Sequence, residues 1–258
     1  MEFQGKSVLI TGASAGIGRE LALQLAGRGA RLTLCARRRE KIEALAGEIG
    51  AAQALAVECD VTRDGDLEGA VAAAVERWGG VDVVFANAGF GVTGQVAELT
   101  IEDYRRQFET NVFGVLRTVY AAVGELERRR GSLVIIGSVA SWVSTGGASA
   151  YSMSKFAVRA LANSLWAELR PRGVAVTLIS PGFVVSEFHQ VDNQGQAHAE
   201  RQKSAPEWLR VPTGKAVREI LRAVERGKRE KIVTGHGKVL VAIERLWPGL
   251  ATRVGRRG

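Results

Sequence analysis

An alternation that runs almost from end to end constrains this chain more than any other feature. Short apolar runs, "SVLIT" at 7–11, "RLTLCA" at 31–36, "QALAVE" at 53–58, "VDVVFA" at 81–86, "SLVIIG" at 132–137, "VAVTLIS" at 174–180 and "KIVT" at 231–234, are separated by segments of helical period. Val, Ile and Leu occupy odd and even positions of these runs alike, as strands need when both faces of their sheet are covered. The helical period predicts helices at Gly16–Arg28, Arg38–Ile49, Asp66–Trp78, Ile101–Arg129, Ala150–Arg170 and Lys215–Arg226. Strict β/α alternation with right-handed crossovers predicts an α/β fold. The expected form is one doubly wound parallel sheet of about seven strands with helices on both faces. A chain of 258 residues, 46% of them hydrophobic, fits this as a single domain over 1–258.

The first strand and first helix are joined through "TGASAGIG", which places Gly12, Gly16 and Gly18 at G-x3-G-x-G spacing. A glycine turn at this point lets backbone amides approach a phosphate. The helix that follows offers unpaired N–H groups and the positive end of its dipole. Such a turn serves a bound dinucleotide, although glycine turns also close elements for purely structural reasons.

Further short motifs fall in step with the turn: "DV" at Asp60–Val61 after the third strand, "NAG" at Asn87–Gly89 after the fourth, and Asn111 in "TNVFG". Ser138 ends the fifth strand in "IIGSVAS", "YSMSK" supplies Tyr151 and Lys155, and "SPGFV" closes the sixth. Together, and in this order from about Gly5 to Val184, they resemble the short-chain dehydrogenase/reductase family. The resemblance implies a Rossmann-type sheet, a nicotinamide cofactor and catalytic roles for Asn111, Ser138, Tyr151 and Lys155. It places Gly12, Ser14, Gly16, Ile17 and Gly18 at the cofactor turn, Asp60 and Val61 at the adenine, and Asn87, Ala88 and Gly89 beside the cofactor. Tyr151 and Lys155 also meet the cofactor, with Lys155 on the nicotinamide ribose. Pro181, Gly182, Val184 and Ser186 close the set, Ser186 standing where a Thr commonly contacts the carboxamide. Ala86 stands where the family often has another Asn.

The residue chemistry points the same way. Tyr151 and Lys155 are four apart in a predicted helix and share a face. A phenol is a poor acid–base catalyst at neutral pH, and a neighbouring ammonium is expected to lower its pKa. The family mechanism makes Tyr151 the proton donor to a ketone or acceptor from an alcohol. In it, Ser138 polarises the oxygen and Asn111 anchors a water of a proton relay. The second strand ends "CARRREK", with Ala36 where an acid would contact the ribose of NAD and repel a 2′-phosphate. Arg37 is the first candidate to grip that phosphate and Arg38 the second, whereas Arg39 faces solvent, so NADP is the expected cofactor. Ala15 works against this preference, because many NADP-dependent relatives carry a basic residue there.

The rest of the chain is less informative. Residues 183–211 lack a clean period and suggest a substrate-binding lid. Phe90, Val92, Trp142, Val143, Phe183, Phe188 and Trp208 are candidate pocket residues, and their apolar character suggests a hydrophobic carbonyl or alcohol substrate. Val239, Leu240, Ile243, Leu246 and Trp247 fall at helical spacing, predicting a C-terminal helix over Lys238–Trp247. From Glu200 to Gly258 there are 15 Lys and Arg against 6 Asp and Glu, so the net charge of +8 belongs to the last quarter. Interleaved aromatics and a nucleic-acid module are missing, so no nucleic-acid partner is expected. A solvated basic face, or peripheral membrane contact through the extension at 236–258, remains open. Cys35 and Cys59 read as buried free thiols, and His189, His198 and His236 have no metal spacing. The N-terminus reaches its first strand too soon for a signal peptide, which suggests a cytoplasmic location. The long helices suggest a homodimer or homotetramer. Two further classes stay open: a dinucleotide-sensing regulator, against which the Ser138, Tyr151 and Lys155 set argues, and a membrane-associated binding protein.

Overall fold

All seven apolar runs form strands in the computed structural model: β1 (Ser7–Thr11), β2 (Arg31–Ala36), β3 (Ala54–Glu58), β4 (Val83–Ala86), β5 (Ser132–Ile136), β6 (Ala175–Ser180) and β7 (Glu230–Ile232). They pair in parallel in the order β3-β2-β1-β4-β5-β6-β7. The intervening helices are α1 (Gly16–Ala26), α2 (Arg39–Ile49), α3 (Asp66–Trp78), α4 (Ile101–Phe108), α5 (Gly114–Arg129), α6 (Ser149–Leu169), α7 (Thr213–Glu225) and α8 (Gly235–Leu246). The structure describes residues 1–186, 192–193 and 206–247. Most of the expected lid, with Phe188, His189 and His198, lies outside the described residues, as does the extension beyond Trp247.

The period-2 alternation of each strand feeds two cores. Val8 and Ile10 of β1 pack on one face with Leu21 and Leu25 of α1, Ile42 of α2 and Ile220 of α7. Leu9 turns to the other face, with Leu67 of α3, Val119 and Leu126 of α5 and Val158 of α6. Each such side chain, fully buried, contributes roughly 1.5–3 kcal/mol relative to exposure. Strand order reverses between β1 and β4, whose loops diverge and open a crevice at the carboxyl ends of the strands.

Two expected helices need correction. The segment Ile101–Arg129 is two helices joined by a π-helical turn at Glu109–Phe113. Its buried Asn111 bonds the loop after β4 rather than following the helical face, and such widened turns gather at functional positions. The C-terminal helix forms, but the stripe expected to pack is only half right. Leu240 and Ile243 pack beside Val241 against Val139, Trp142 and Val143, while Val239, Leu246 and Trp247 are exposed. Gly237 decides the rotation: a Cβ there would stand 2.6 Å from Val139 Cγ2, so the helix seats its 237/241 face inward.

Candidate active site

The crevice is a cleft of about 1100 Å³ running from the glycine turn and the end of β2 to the first turn of α6. Gly12 and Gly16 have φ of +69° and +53°, the left-handed region that glycine enters without strain. A Cβ on Gly12 would stand 2.9 Å from Ala88 Cα, and one on Gly18 only 2.2 Å from Gly12 O. Gly18 therefore packs helix on turn behind the cleft wall. The N-terminus of α1 has no side-chain cap and no acid in its first turn, and Ala15, Gly16 and Ile17 line the cleft. Uncapped amides, a positive dipole end and a cradle that side chains would fill suit a pyrophosphate.

Thr11, which the sequence reading passed over, ties this turn to β4. Its Oγ1 accepts from the N–H groups of Asn87 (3.0 Å) and Ala88 (3.1 Å), and Asn87 Nδ2 donates back to Thr11 O at 2.8 Å. At the end of β2, Ala36, Arg37 and Arg38 all line the cleft. Arg38 donates through Nε (3.1 Å) and Nη2 (2.9 Å) to Ser14 Oγ in the glycine turn, while Arg37 is exposed at the rim. Arg39 is exposed and pairs with Glu43 at 2.7 Å. Asp60 Oδ1 accepts from Thr62 N (3.0 Å) and Oγ1 (2.8 Å), shaping the Asp60–Val61 wall.

At the other end Ser138, Tyr151 and Lys155 come together. Ser138 follows β5, its Oγ accepts from Ala140 N at 3.0 Å, and it hydrogen-bonds Tyr151. Lys155 is buried; its Nζ donates to Ile136 O at 2.9 Å and lies 5.8 Å from the Tyr151 ring centroid. Removal from water pushes Tyr151 up to about 12, against a smaller lowering by the Ser138 hydrogen bond. Burial pushes Lys155 down to about 8. The expected lowering of the phenol pKa by Lys155 is therefore not what the protein alone produces: burial outweighs it, and the ammonium is directed at a backbone carbonyl.

Asn111 does not line the cleft. Its Oδ1 accepts from Phe90 N (3.1 Å), and its Nδ2 donates to Phe90 O (3.0 Å) and Ser154 Oγ (3.1 Å). Gln107, fully buried one turn earlier, joins it by donating to Phe90 O and accepting from Val92 N. The four-residue spacing of the two amides was the available signal for Gln107. Pro181, Gly182, Val184 and Ser186 border the same end; a Cβ on Gly16 would touch Ser186 Cβ at 3.0 Å. Of the candidate pocket residues, Phe90, Val143 and Phe183 line the cleft. Val92 is buried beneath it, Trp208 is 81% exposed, and Trp142 lies between the guanidinium groups of Arg159 and Arg245. Among the described residues no cluster could hold a metal ion, and no helix is long and apolar enough to cross a membrane.

A family profile described as short chain dehydrogenase matches residues 6–197. The chain belongs to this family. It is an oxidoreductase with a nucleotide-binding Rossmann-type fold. An uncharacterized oxidoreductase of Myxococcus xanthus is 42% identical over 196 residues, covering 74% of this chain and 77% of the relative. A short-chain dehydrogenase/reductase from Burkholderia phymatum, solved in complex with NAD, shares the fold at a TM-score of 0.86 and 23% identity, covering 95% of each chain. An alcohol dehydrogenase from Thermococcus sibiricus, complexed with 5-hydroxy-NADP, superposes at a TM-score of 0.76 and 28% identity, covering 89% of this chain and 96% of that one. The matched region of the short-chain dehydrogenase profile stops before α7, and α8 adds His236 and Leu240 to the lining of the cleft.

Proposed function

We propose that this short-chain dehydrogenase interconverts a hydrophobic ketone and its secondary alcohol with NADP(H). The observation that carries the reading is the Ser138–Tyr151–Lys155 cluster at one end of a cleft whose other end presents Arg37, Arg38 and the glycine turn. A nicotinamide dinucleotide bound there supplies the hydride. The chain's residues do the rest. Gly12, Ser14, Gly16 and Ile17 would hold the pyrophosphate, Asp60 and Val61 would border the adenine, and Arg37 with Arg38 would meet a 2′-phosphate that Ala36 does not repel. Tyr151, held as the neutral phenol, gives its Oη proton to the carbonyl oxygen, and the Ser138 hydroxyl orients that oxygen and stabilises the phenolate left behind. Lys155, an ammonium below pH about 8 beside the neutral phenol, favours the phenolate as it forms. The Asn111 side chain holds Phe90, which leaves its backbone to carry the relay water that the family mechanism assigns to it.

The 5-hydroxy-NADP complex of the Thermococcus sibiricus enzyme supports a dinucleotide with a 2′-phosphate. The apolar lining of Phe90, Val139, Val143, Phe183 and Leu240 supports a hydrophobic substrate. A panel of ketones and alcohols with NADPH, NADH and the oxidised forms, followed at the nicotinamide absorbance, tests the reading. Turnover of apolar ketones with NADPH supports it, and a chain that binds the dinucleotide without turning over any carbonyl overturns it.

A further inference from the structure

The first turn of α8 inserts a histidine into the turn that follows β6. A Cβ on Gly182 would stand 2.3 Å from His236 Nε2 and 3.1 Å from its Cδ2, so glycine is required there for the ring to seat. Phe183 N donates to His236 Nε2 at 3.1 Å, and the Phe183 ring stacks on the imidazole at 5.6 Å between centroids and 28° between planes. Thr234 Oγ1 lies 3.2 Å from the same Nε2. A backbone N–H can only donate, so Nε2 must carry its lone pair and the neutral ring must be protonated at Nδ1. Burial holds this histidine below its ordinary pKa, in keeping with the neutral form. The Nε2–Cδ2 edge faces Gly182, which leaves Nδ1 on the opposite side of a ring that lines the cleft. No hydrogen bond among the described residues uses Nδ1, and it is not a buried orphan atom.

We infer that His236 forms a substrate subsite: its Nδ1–H recognises a second acceptor oxygen on an apolar ketone, beyond the carbonyl addressed by Ser138 and Tyr151. The inference rests on the proposed ketone chemistry. Val139, Val143, Phe183 and Leu240 surround this part of the cleft with apolar surface, where a donor left unpaired by the ligand is costly. Sites that present a polar group to a ligand discriminate against analogues lacking its partner. The favoured class is therefore a diketone, hydroxyketone or keto ether on a hydrocarbon frame.

Two measurements test this. Long-range proton–nitrogen NMR on the uniformly labelled, cofactor-free chain shows His236 protonated at Nδ1 and bare at Nε2; the reverse tautomer overturns the inference. Steady-state reduction by NADPH then compares decalin-1,5-dione with 1-decalone. Wild type favours the dione in kcat/KM by about twofold to twelvefold beyond its twofold statistical advantage, the range one net hydrogen bond supplies. His236→Phe, which keeps a ring against Phe183 but has no donor, erases that preference, and His236→Gln restores part of it. Equal losses for both ketones in His236→Phe overturn the subsite. If wild type reduces neither ketone, the proposed function fails. The subsite is then judged separately: a His236 Nδ1 shift induced by the dione and not by 1-decalone supports it, and equal or absent shifts overturn it.

Discussion

Tyr151 and Lys155 sit one turn apart on α6, and removal from water drives their pKa values in opposite directions. A phenol pushed up to about 12 is fully protonated at neutral pH, the form that donates to a carbonyl. Tyr151→Phe is expected to lower turnover by at least ~10²-fold, the usual loss with a general acid, while dinucleotide affinity by fluorescence titration stays nearly unchanged. Lys155 gives a sign that stability measurements can check. Its folded pKa of about 8 lies below the ordinary 10.5, so the unfolded chain binds more protons between those values and stability rises with pH through that window. Below pH 8 the buried charge costs about 3 kcal/mol, partly offset by the bond to Ile136 O. Lys155→Met should therefore raise Tm at pH 7 by about 5 °C while removing activity. The gap between the two proteins should close above pH 10.5, and a Tm difference independent of pH would contradict the assignment.

At the scale of elements, the end of β2 carries the cofactor preference. Ala36 is buried against the cleft, Arg37 stands at its rim, and Arg38 is drawn onto Ser14 of the glycine turn. Ala36→Asp combined with Arg37→Ile is expected to move the ratio of kcat/KM values from NADPH toward NADH by tens-fold or more, since one repulsion is added and one charge-assisted bond is lost. A ratio unchanged by the double substitution would overturn this reading of the end of β2. The strands were legible because each is an apolar run long enough to show that both of its faces are covered. The π-helical turn was not, because Glu109–Phe113 carries no Gly or Pro to mark a break, and its Asn111, with Gln107 of α4, reaches the loop after β4. The Ser138, Tyr151 and Lys155 positions were legible from motif spacing. Arg38 on Ser14 and His236 on Phe183 were not, because those contacts join residues 24 and 53 apart whose partners no local period reveals.

The whole molecule covers its sheet on both faces but leaves one helical layer incompletely buried. Phe113 (46%), Tyr120 (70%), Met153 (52%) and Phe156 (41%) are exposed on the π-helical turn, α5 and α6, and the turn runs into α5 and packs on α6. Large apolar side chains gathered in this way mark an association surface more often than a solvated one. α5 and the preceding α4 carry ion pairs: Arg117 of α5 bonds Asp64 and Glu109, and Arg105 of α4 meets Glu102 at 3.5 Å. Apolar side chains accompanied by charged ones are what an interface between copies needs, and the helices involved are those whose length first suggested assembly. Light scattering at micromolar concentration should therefore give two or four times the mass of the chain. Tyr120→Glu with Phe156→Glu places like charges on each copy's apolar centre, and should lower the mass to that of one chain while leaving the far-ultraviolet circular dichroism unchanged. A wild-type monomer at that concentration would show instead that this layer faces solvent.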